Sequence, residues 1–502
     1  MPKDGENLRL ILGLKLKQFR LKKGFQLKDL AARSSLSISF LSEIEKGKKY
    51  PKPEKIMTLA QALDISFDDL VSLKVDEELG DLTSLLNSPF LKEFPFELFG
   101  VTARDLMTLV TDSPAKAGAF IRTFLEIAQT YDMRVEHFLL AALRSYQKIH
   151  LNYFEDLEKA VVDFSRENDL SATPQANVDK LRSIFTKKYG LALEETAFDN
   201  FPALRNFRSI WIDSQPQKLI INEKLLPNQK AFILGRELAY SYLELKERAQ
   251  TSSWLKIESF EQVLNNFKAS YFAGALLLNR DLLYADLAAF FKKKEWDGED
   301  FLTMMQKYNA TPEMFLYRLS QLIPKMFQMN EIFYLRFNNR AGTDRYLLTK
   351  ELNMSRVRVP HGIGLNEHYC RRWLALSLLR ELALKQQNGT VPETSIAAQR
   401  SHFQESKDEF FTITLARPLA LTPDTNSSIS VGFLINEKFK RTVRFWNDKR
   451  IPKVDVNETC ERCELSEAQC SERIAPPDIY LTEVRRLQRE KELERFINEM
   501  KA

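Results

Sequence analysis

The chain has 502 residues, of which 44% are hydrophobic and 28% charged, and its formal net charge is +5. It is long enough for about three domains with cores of their own, and no run approaches the roughly 18 uninterrupted apolar residues that a membrane span requires, so no membrane role is expected. The opening stretch MPKDGENLRL lacks the apolar core of a signal peptide, and a cytoplasmic location is the expectation.

Charge is unevenly placed. Residues 1–55 hold 14 Lys or Arg against 6 Asp or Glu, a net of +8, which leaves −3 for the remainder. A basic module on a near-neutral body is the footprint of a domain that holds phosphates. Within it, Leu12, Leu16 and Phe19 fall at helical spacing and Gly24 ends that helix. Gln26 to Ala32 starts a second helix, and Ser37 is a good N-cap for a third that runs to Gly47, a natural C-cap. After Pro51 and Pro53, EKIMTLAQALDI and FDDLVSL supply two more amphipathic helices.

The run GFQLKDLAARSSLSISFLSEIEKGKKYPKPEKIMTLAQAL, with SEIEKG closing its recognition helix, resembles the XRE family of lambda-repressor-like helix-turn-helix regulators. The resemblance implies a second helix of the pair in the major groove, with Leu36, Leu41 and Ile44 turned to the core. Ser37, Ser39, Phe40, Ser42 and Glu43 then face base edges, Phe40 suiting a thymine methyl. Gln26 is expected at a backbone phosphate, and Lys46, Lys48 and Lys49 at others. Double-stranded operator DNA is the implied partner, read by a homodimer on a pseudo-palindrome.

Residues 76–175 carry helical periodicity, many aromatics and almost no glycine, as in FELFGVTARDLMTLV, AGAFIRTFLEIAQTY and VEHFLLAALRSYQKIHLNYFEDLEKAVVDF. They are read as an all-α connector or dimerisation region, closed by the polar break SATPQANVD. Residues 176–295 contain KLIINEKLLPNQKAFILGRELAYSYLEL, a strand, a turn at Pro227 and Asn228, and a long helix. This layout resembles the ImmA/IrrE-like metallopeptidase domain, in which an HExxH helix supplies two zinc-binding histidines and a general-base glutamate, and a later helix supplies a carboxylate. Arg236 stands at the first histidine position, Glu237 keeps the glutamate, Tyr240 replaces the second histidine and Lys268 falls near the carboxylate position. Two cations repel a divalent metal, so no catalysis is expected, and Glu237 is read as an ion-pair partner of Arg236 or Lys268.

Residues 296–480 carry MFLYRLSQL, EIFYLRFNNRAGT, CRRW, FFTITLARPL and CERCELSEAQCSERIAPP. With the preceding domains, these resemble XRE regulators whose C-terminal domain responds to a short-chain acyl-coenzyme A; the segment from Trp373 to Phe410 departs most from that pattern. Cys460 and Cys463 form a CxxC, Cys470 follows after six residues, and the resemblance places Cys370 of CRRW in the same set. Four thiolates suit an iron–sulfur cluster or a tetrahedral zinc, and unliganded thiols are the third reading. Arg473, Pro476 and Pro477 would pin that loop. An acyl-coenzyme A needs cations for its phosphates and an aromatic or apolar slot, for which Arg336, Arg356, Arg358, Arg371, Arg372 and Trp373 are candidates. Residues 481–502 read as a mixed-charge helix packing on its own domain or on a partner subunit.

The expected fold is therefore multidomain and mainly α, with an α+β C-terminal half behind a lambda-repressor-like five-helix domain at residues 1–75. The expected function is a DNA-binding regulator, not an enzyme, responsive to a short-chain acyl-coenzyme A and set over fatty-acyl, propionate or acetate metabolism. A repressor controlled by a protein partner, of phage or toxin–antitoxin type, and an atypical metallopeptidase-linked regulator are the alternatives.

Overall fold

The computed structural model describes residues 4–72, 95–100, 134–170, 178–251, 257–360, 367–389, 393–404 and 406–501, together with positions 123 and 126. They divide into two units, residues 1–146 with 258–260, and residues 147–257 with 261–502. Among the described residues no helix is long and apolar enough to cross a membrane.

In the first unit, α1 (Asp4–Lys22), α2 (Leu27–Ser34), α3 (Ile38–Glu45), α4 (Pro53–Leu63) and α5 (Phe67–Val71) are the five helices read from the sequence. Their apolar stripes meet in one core, with Leu12, Leu16, Leu30, Leu41, Ile44, Ile56, Leu59, Leu63 and Leu70 buried. Two contacts that the apolar pattern does not show hold α1 against α3. A Cβ on Gly13 would stand 2.3 Å from the Ile44 carbonyl oxygen, so only glycine allows the approach. The Arg20 guanidinium donates to both Glu45 carboxylate oxygens at 2.6 and 2.8 Å, and to the Phe25 carbonyl at 2.8 Å. Glu45 is the second acidic residue of the SEIEKG motif, so the motif secures the helix pair as well as presenting a surface.

The helical reading of residues 96–130 lies mostly outside the described residues; within it Phe96–Phe99 is a short 3-10 turn. The reading from 135 to 164 contains a break. Helix α6 (Val135–Ile149) and α7 (Glu155–Glu167) are separated by Leu151 and Asn152, both in the left-handed region. No glycine or proline marks that turn. It is held instead by the buried Asn152 amide, bonded to Gln147 at 2.8 Å and to Ser320 at 3.2 Å.

In the second unit, α8 (Val178–Ser183) leads to β1 (Ala192–Thr196), β2 (Ser209–Ile212) and β3 (Lys218–Asn222), which form a sheet ordered β1-β3-β2 with β1 parallel and β2 antiparallel to β3. Helix α9 (Pro227–Tyr242) follows. Pro227 and Asn228 are its first turn and not a separate turn, since proline at the first helical position lacks only an N–H that would go unpaired there. Next come α10 (Phe260–Leu277), α11 (Arg280–Phe291), α12 (Gly298–Lys307) and α13 (Pro312–Phe327).

The remaining strands, β4 (Ile332–Arg340), β5 (Tyr346–Asn353), β6 (Ser395–Phe403), β7 (Glu409–Leu419), β8 (Thr422–Leu434) and β9 (Lys453–Val456), make one sheet ordered β5-β4-β8-β7-β6-β9. Only the β6–β9 pair is parallel. Helix α14 (Leu374–Gln387), inserted before β6, buries Leu378 and Leu382 against Ala416 of β7. Alternation along β4 divides its two faces: Phe333, Leu335 and Phe337 join the core that includes Trp373, Leu376 and Phe410, while Tyr334 packs edge-on against Tyr317 of α13, ring centroids 5.2 Å apart. Gly432 of β8 lies directly opposite Phe333, whose ring occupies the place a Cβ would take. The last helix, α16 after the short α15 (Glu437–Thr442), is Asp478–Lys501 and is exposed along its length.

A buried ion pair ties three of these helices together. Arg318 of α13, 1% exposed, holds Glu158 of α7 through two bonds of 2.6 and 2.9 Å, and the Tyr271 hydroxyl of α10 donates to the same carboxylate at 2.7 Å. Burial alone would raise the Glu158 carboxyl, but Arg318 and Tyr271 outweigh it and hold it below the ordinary range. A carboxyl lowered on folding stabilises the fold above its unfolded pKa, about 4.3, and that contribution is lost as pH falls through the folded value. Glu158→Ala, which leaves a buried guanidinium unpaired, should cost about 3–5 kcal/mol in urea unfolding. Gly13→Val should unfold the five-helix domain while the melting of residues 147–502 stays at the wild-type temperature, as read by two-transition calorimetry.

Candidate functional site

The surface of α3 follows from its caps. The Ser37 hydroxyl accepts the Phe40 N–H at 3.2 Å and starts the helix, and Gly47, at φ 65°, ends it. Ser39, Lys46, Lys48 and Lys49 are exposed, and Ser42 and Glu43 are half-buried. Glu43 pairs with Lys49 at 2.8 Å, and that hydrogen bond holds its carboxyl below the ordinary range. Gln26 is exposed at the N-terminus of α2, where its backbone N–H donates to the Asp29 carboxylate at 2.7 Å. Phe40 differs from its reading as a base-facing ring: it packs partly on the core and lies beneath the Lys55 ammonium, 4.3 Å from the ring centre. The exposed apolar side chain at that end of the helix is Ile38, 51% exposed. Its neighbours Ser37 and Ser39 carry the hydroxyls that drew attention in the sequence, where Ile38 was not singled out.

At the HExxH-like positions of α9, Glu237 is 2% exposed and its carboxylate is taken up by two guanidiniums. Arg236 lies 2.7 Å away, and Arg248 contacts the other oxygen. Arg248 is fixed by stacking, 3.6 Å from the Trp211 ring centre and 4.5 Å from that of Tyr240. Lys268 is half-buried on α10. The partner set is thus Arg236 with Arg248, and Arg248 was missed because it lies beyond the helix, where no spacing rule reaches. A set of Arg, Glu and Tyr does not fit zinc.

The four cysteines, 90 or more residues apart between the first and the rest, are brought to one place. Tyr369 and Thr459 form an isolated antiparallel bridge, Cys370 N–H donates to Glu458 O at 3.2 Å, and Cys460 N–H donates to His368 O at 2.9 Å. Cys370, Cys460 and Cys463 are 4% exposed and Cys470 8%, all unpaired thiols. Burial pushes the Cys370 thiol up to about 12, and nearby Cys460 and Cys463 add to the rise. Arg473 pins the loop as expected, donating to the carbonyls of Cys460, Cys463 and Leu465. Among the described residues no three or more His, Cys, Asp or Glu side chains stand in metal-ligating geometry, so the four thiols are clustered but not drawn onto a common centre.

The candidate effector residues separate into three groups. Trp373 is fully buried and its indole N–H donates to Asn457 O at 2.7 Å, so it is a core residue with no open face. Arg371, 4% exposed, is spent on Asp344 at 2.9 and 3.0 Å. Arg356 and Arg358 are exposed, Arg356 near Glu331 and Asp408 at 3.7 and 3.8 Å, and Arg372 is half-buried. Arg336 alone of the six points into a charged interior, where Glu313 of α13 lies 3.7 Å away and Ser427 Oγ accepts its Nε at 3.1 Å. Arg417 of β7 holds the same carboxylate at 2.8 Å. Burial pushes Glu313 up, but Arg417, Arg336 and Arg208 together hold it at about 2. Arg417 and Arg208 were not singled out in the sequence, although an arginine inside the strand FFTITLARPL was a readable signal.

Residues 16–70 match a helix-turn-helix family model, and residues 190–320 match the IrrE N-terminal-like domain of the M78 peptidases. The chain is 22% identical over 355 residues to the propionyl-CoA carboxylase regulator of Cereibacter sphaeroides, covering 67% of this chain and 70% of that protein. It is 34% identical over 70 residues to an HTH-type transcriptional regulator of Deinococcus deserti, about half (53%) of that protein's length. To an uncharacterized HTH-type transcriptional regulator of Sinorhizobium fredii it is 33% identical over 66 residues, 86% of that protein and 13% of this chain. A solved Mycobacterium tuberculosis transcriptional regulator aligns with a TM-score of 0.46 and 17% identity, covering 66% of this chain and 92% of that one. Lys46→Ala and Lys48→Ala should each weaken binding to every DNA sequence alike and lower the slope of log K against log salt by about one, whereas Ser39→Ala should leave the slope unchanged and relax base preference. Anisotropy titrations at several salt concentrations read both.

Proposed function

Since the chain belongs, through its N-terminal domain, to the helix-turn-helix transcriptional regulators, we propose that its larger unit is an effector-sensing body that sets operator affinity in response to a short-chain acyl-coenzyme A. The observation that carries this reading is the likeness to the propionyl-CoA carboxylase regulator, which at 355 residues extends far beyond the helix-turn-helix match at 16–70. The regulated genes would serve fatty-acyl, propionate or acetate metabolism. The working form is a homodimer, because one such domain reads only a half-site.

The IrrE-like scaffold serves here as a binding and packing framework and not as an enzyme, for its glutamate is neutralised by Arg236 and Arg248. Cys370, Cys460, Cys463 and Cys470 offer the donor chemistry of an iron–sulfur cluster, with zinc as the alternative, and the buried loop supports such a site. Bound there, a cluster would supply a redox-sensitive cross-link between the CRRW turn and the CxxC loop.

With a labelled operator, propionyl-coenzyme A and its near homologues should change affinity about tenfold or more, a coupling of about 1.4 kcal/mol, while coenzyme A with a long acyl chain should not. An operator affinity indifferent to thioesters of every chain length would overturn the effector assignment. Anaerobically purified protein should contain iron and sulfide that Cys463→Ser loses; stoichiometric zinc in their place would make the cysteines a structural clip.

A further inference from the structure

Residues 436–453 hold seven Lys or Arg against two Asp or Glu, a net of +5, although residues 56–502 as a whole sum to −3. The local structure sorts these side chains. Asn436 caps α15 by accepting the Phe439 N–H at 2.9 Å, and Phe439, Val443, Phe445 and Ile451 are buried. Phe439 stacks on Phe433 with ring centroids 5.9 Å apart, and Phe445 packs edge-on against Phe290 at 5.3 Å. The Arg444 N–H donates to Phe291 O at 2.9 Å and the Trp296 N–H to the Asp448 carboxylate at 2.8 Å. The segment is thereby joined to residues 291–296, which include Lys292, Lys293 and Lys294. With the apolar residues turned inward, the cations are left outside.

Some of them have local counter-ions. Lys440 pairs with Glu437 at 2.9 Å, Arg450 with Asp448 at 2.6 Å and Glu295 at 3.1 Å, Lys453 with Glu409 at 3.1 Å, and Lys293 with Asp300 at 2.8 Å. Lys292, Lys294, Arg441, Arg444 and Lys449 are exposed and, among the described residues, form no ion pair. Lys438, also exposed, donates to the Gln328 amide oxygen at 3.2 Å. Against these six, residues 295–300 leave one carboxylate, Glu299, without an ion pair among the described residues. Lys292 caps the C-terminus of α11, where the carbonyl end of a helix favours a cation. Arg444 and Lys449 lie outside any helix and have no such reason to be cations.

The chemistry of this surface selects its partner. Among the described residues, none of the large apolar side chains exposed on the chain falls within 292–300 or 436–453. The surface therefore offers no apolar anchor of the kind a protein interface buries, and no open ring on which a single-stranded base could stack. Trp446 is half-buried, with Arg400 and Lys440 each 5.4 Å from its ring centre. We propose that Lys438, Arg441, Arg444 and Lys449, with Lys292 and Lys294, form a second contact for the phosphate backbone of double-stranded DNA, distinct from the helix-turn-helix surface. Contacts of this kind carry no sequence information; they strengthen and orient a complex by releasing counterions. The helix-turn-helix domain at residues 16–70 brings a duplex to the same chain, so a surface too weak to act alone adds to the affinity. The contact is independent of which effector the larger unit binds.

The test is anisotropy titration of the full-length protein on a long duplex of arbitrary sequence over a series of salt concentrations. Arg441→Gln/Arg444→Gln and Lys294→Gln/Lys449→Gln are compared with wild type and with Arg485→Gln/Arg489→Gln on the exposed helix α16, which removes the same charge elsewhere. Each substituted side chain is exposed and without an ion pair among the described residues, so all three variants should melt at the wild-type temperature. Each of the first two should lower the slope of log K against log salt by about two, and the α16 variant should leave it unchanged. Wild-type slopes in both surface variants, or an equal fall in the α16 variant, overturn the contact. Polyglutamate binding that the wild type shows and the surface variants lose, with their DNA slopes unaltered, would make the partner an acidic protein and overturn it as well.

Discussion

Buried arginine is the constraint around which this molecule is organised. A guanidinium cannot give up its proton under ordinary conditions, so each one taken from water must be met by a carboxylate or by several carbonyls. The rule is met by Arg20 with Glu45 between α1 and α3, and by Arg318 with Glu158 among α7, α10 and α13. In both places the pair fixes the angle at which helices meet, a specification that apolar packing alone leaves loose. Around Glu313, Arg417 holds the carboxylate at 2.8 Å and Arg336 lies 3.7 Å from it.

The same rule applies inside the region that matches the IrrE N-terminal-like domain, residues 190–320. Arg236 and Arg248 bring two positive charges to Glu237, held in place by Ser209, Trp211 and Tyr240. Both oxygens of the Glu237 carboxylate therefore face guanidiniums.

The five-helix domain was legible in the sequence because its signals are local: helical spacing of Leu12, Leu16, Leu41 and Ile44, a serine cap and two glycine stops. Non-local features were not. Gly13 reads as a weak point in a helix until Ile44 O is seen 2.3 Å from where its Cβ would be. The turn at Asn152 carries no glycine or proline and depends on Ser320, far along the chain. Trp373, beside a cysteine and two arginines, had the composition of a binding site, yet it is completely buried, with Phe333 of β4 and Phe403 of β6 packed on its ring. The clustering of Cys370 with the CxxC could be reached only through a family resemblance, since the bridge between Tyr369 and Thr459 that sets it spans 90 residues.

A ligand can shift operator affinity only by the difference in its affinity for two states of the chain. The account therefore requires that binding in the second unit alter the stability of the first. Hydrogen exchange of the full-length protein with and without propionyl-coenzyme A measures this directly. Slowed exchange in β4, β5 and α13, together with a change in α2 and α3, is the expected result. Exchange that is unaltered throughout, or altered around Arg336 with α2 and α3 unmoved in both free and operator-bound protein, would contradict the claim that this chain couples an effector to DNA.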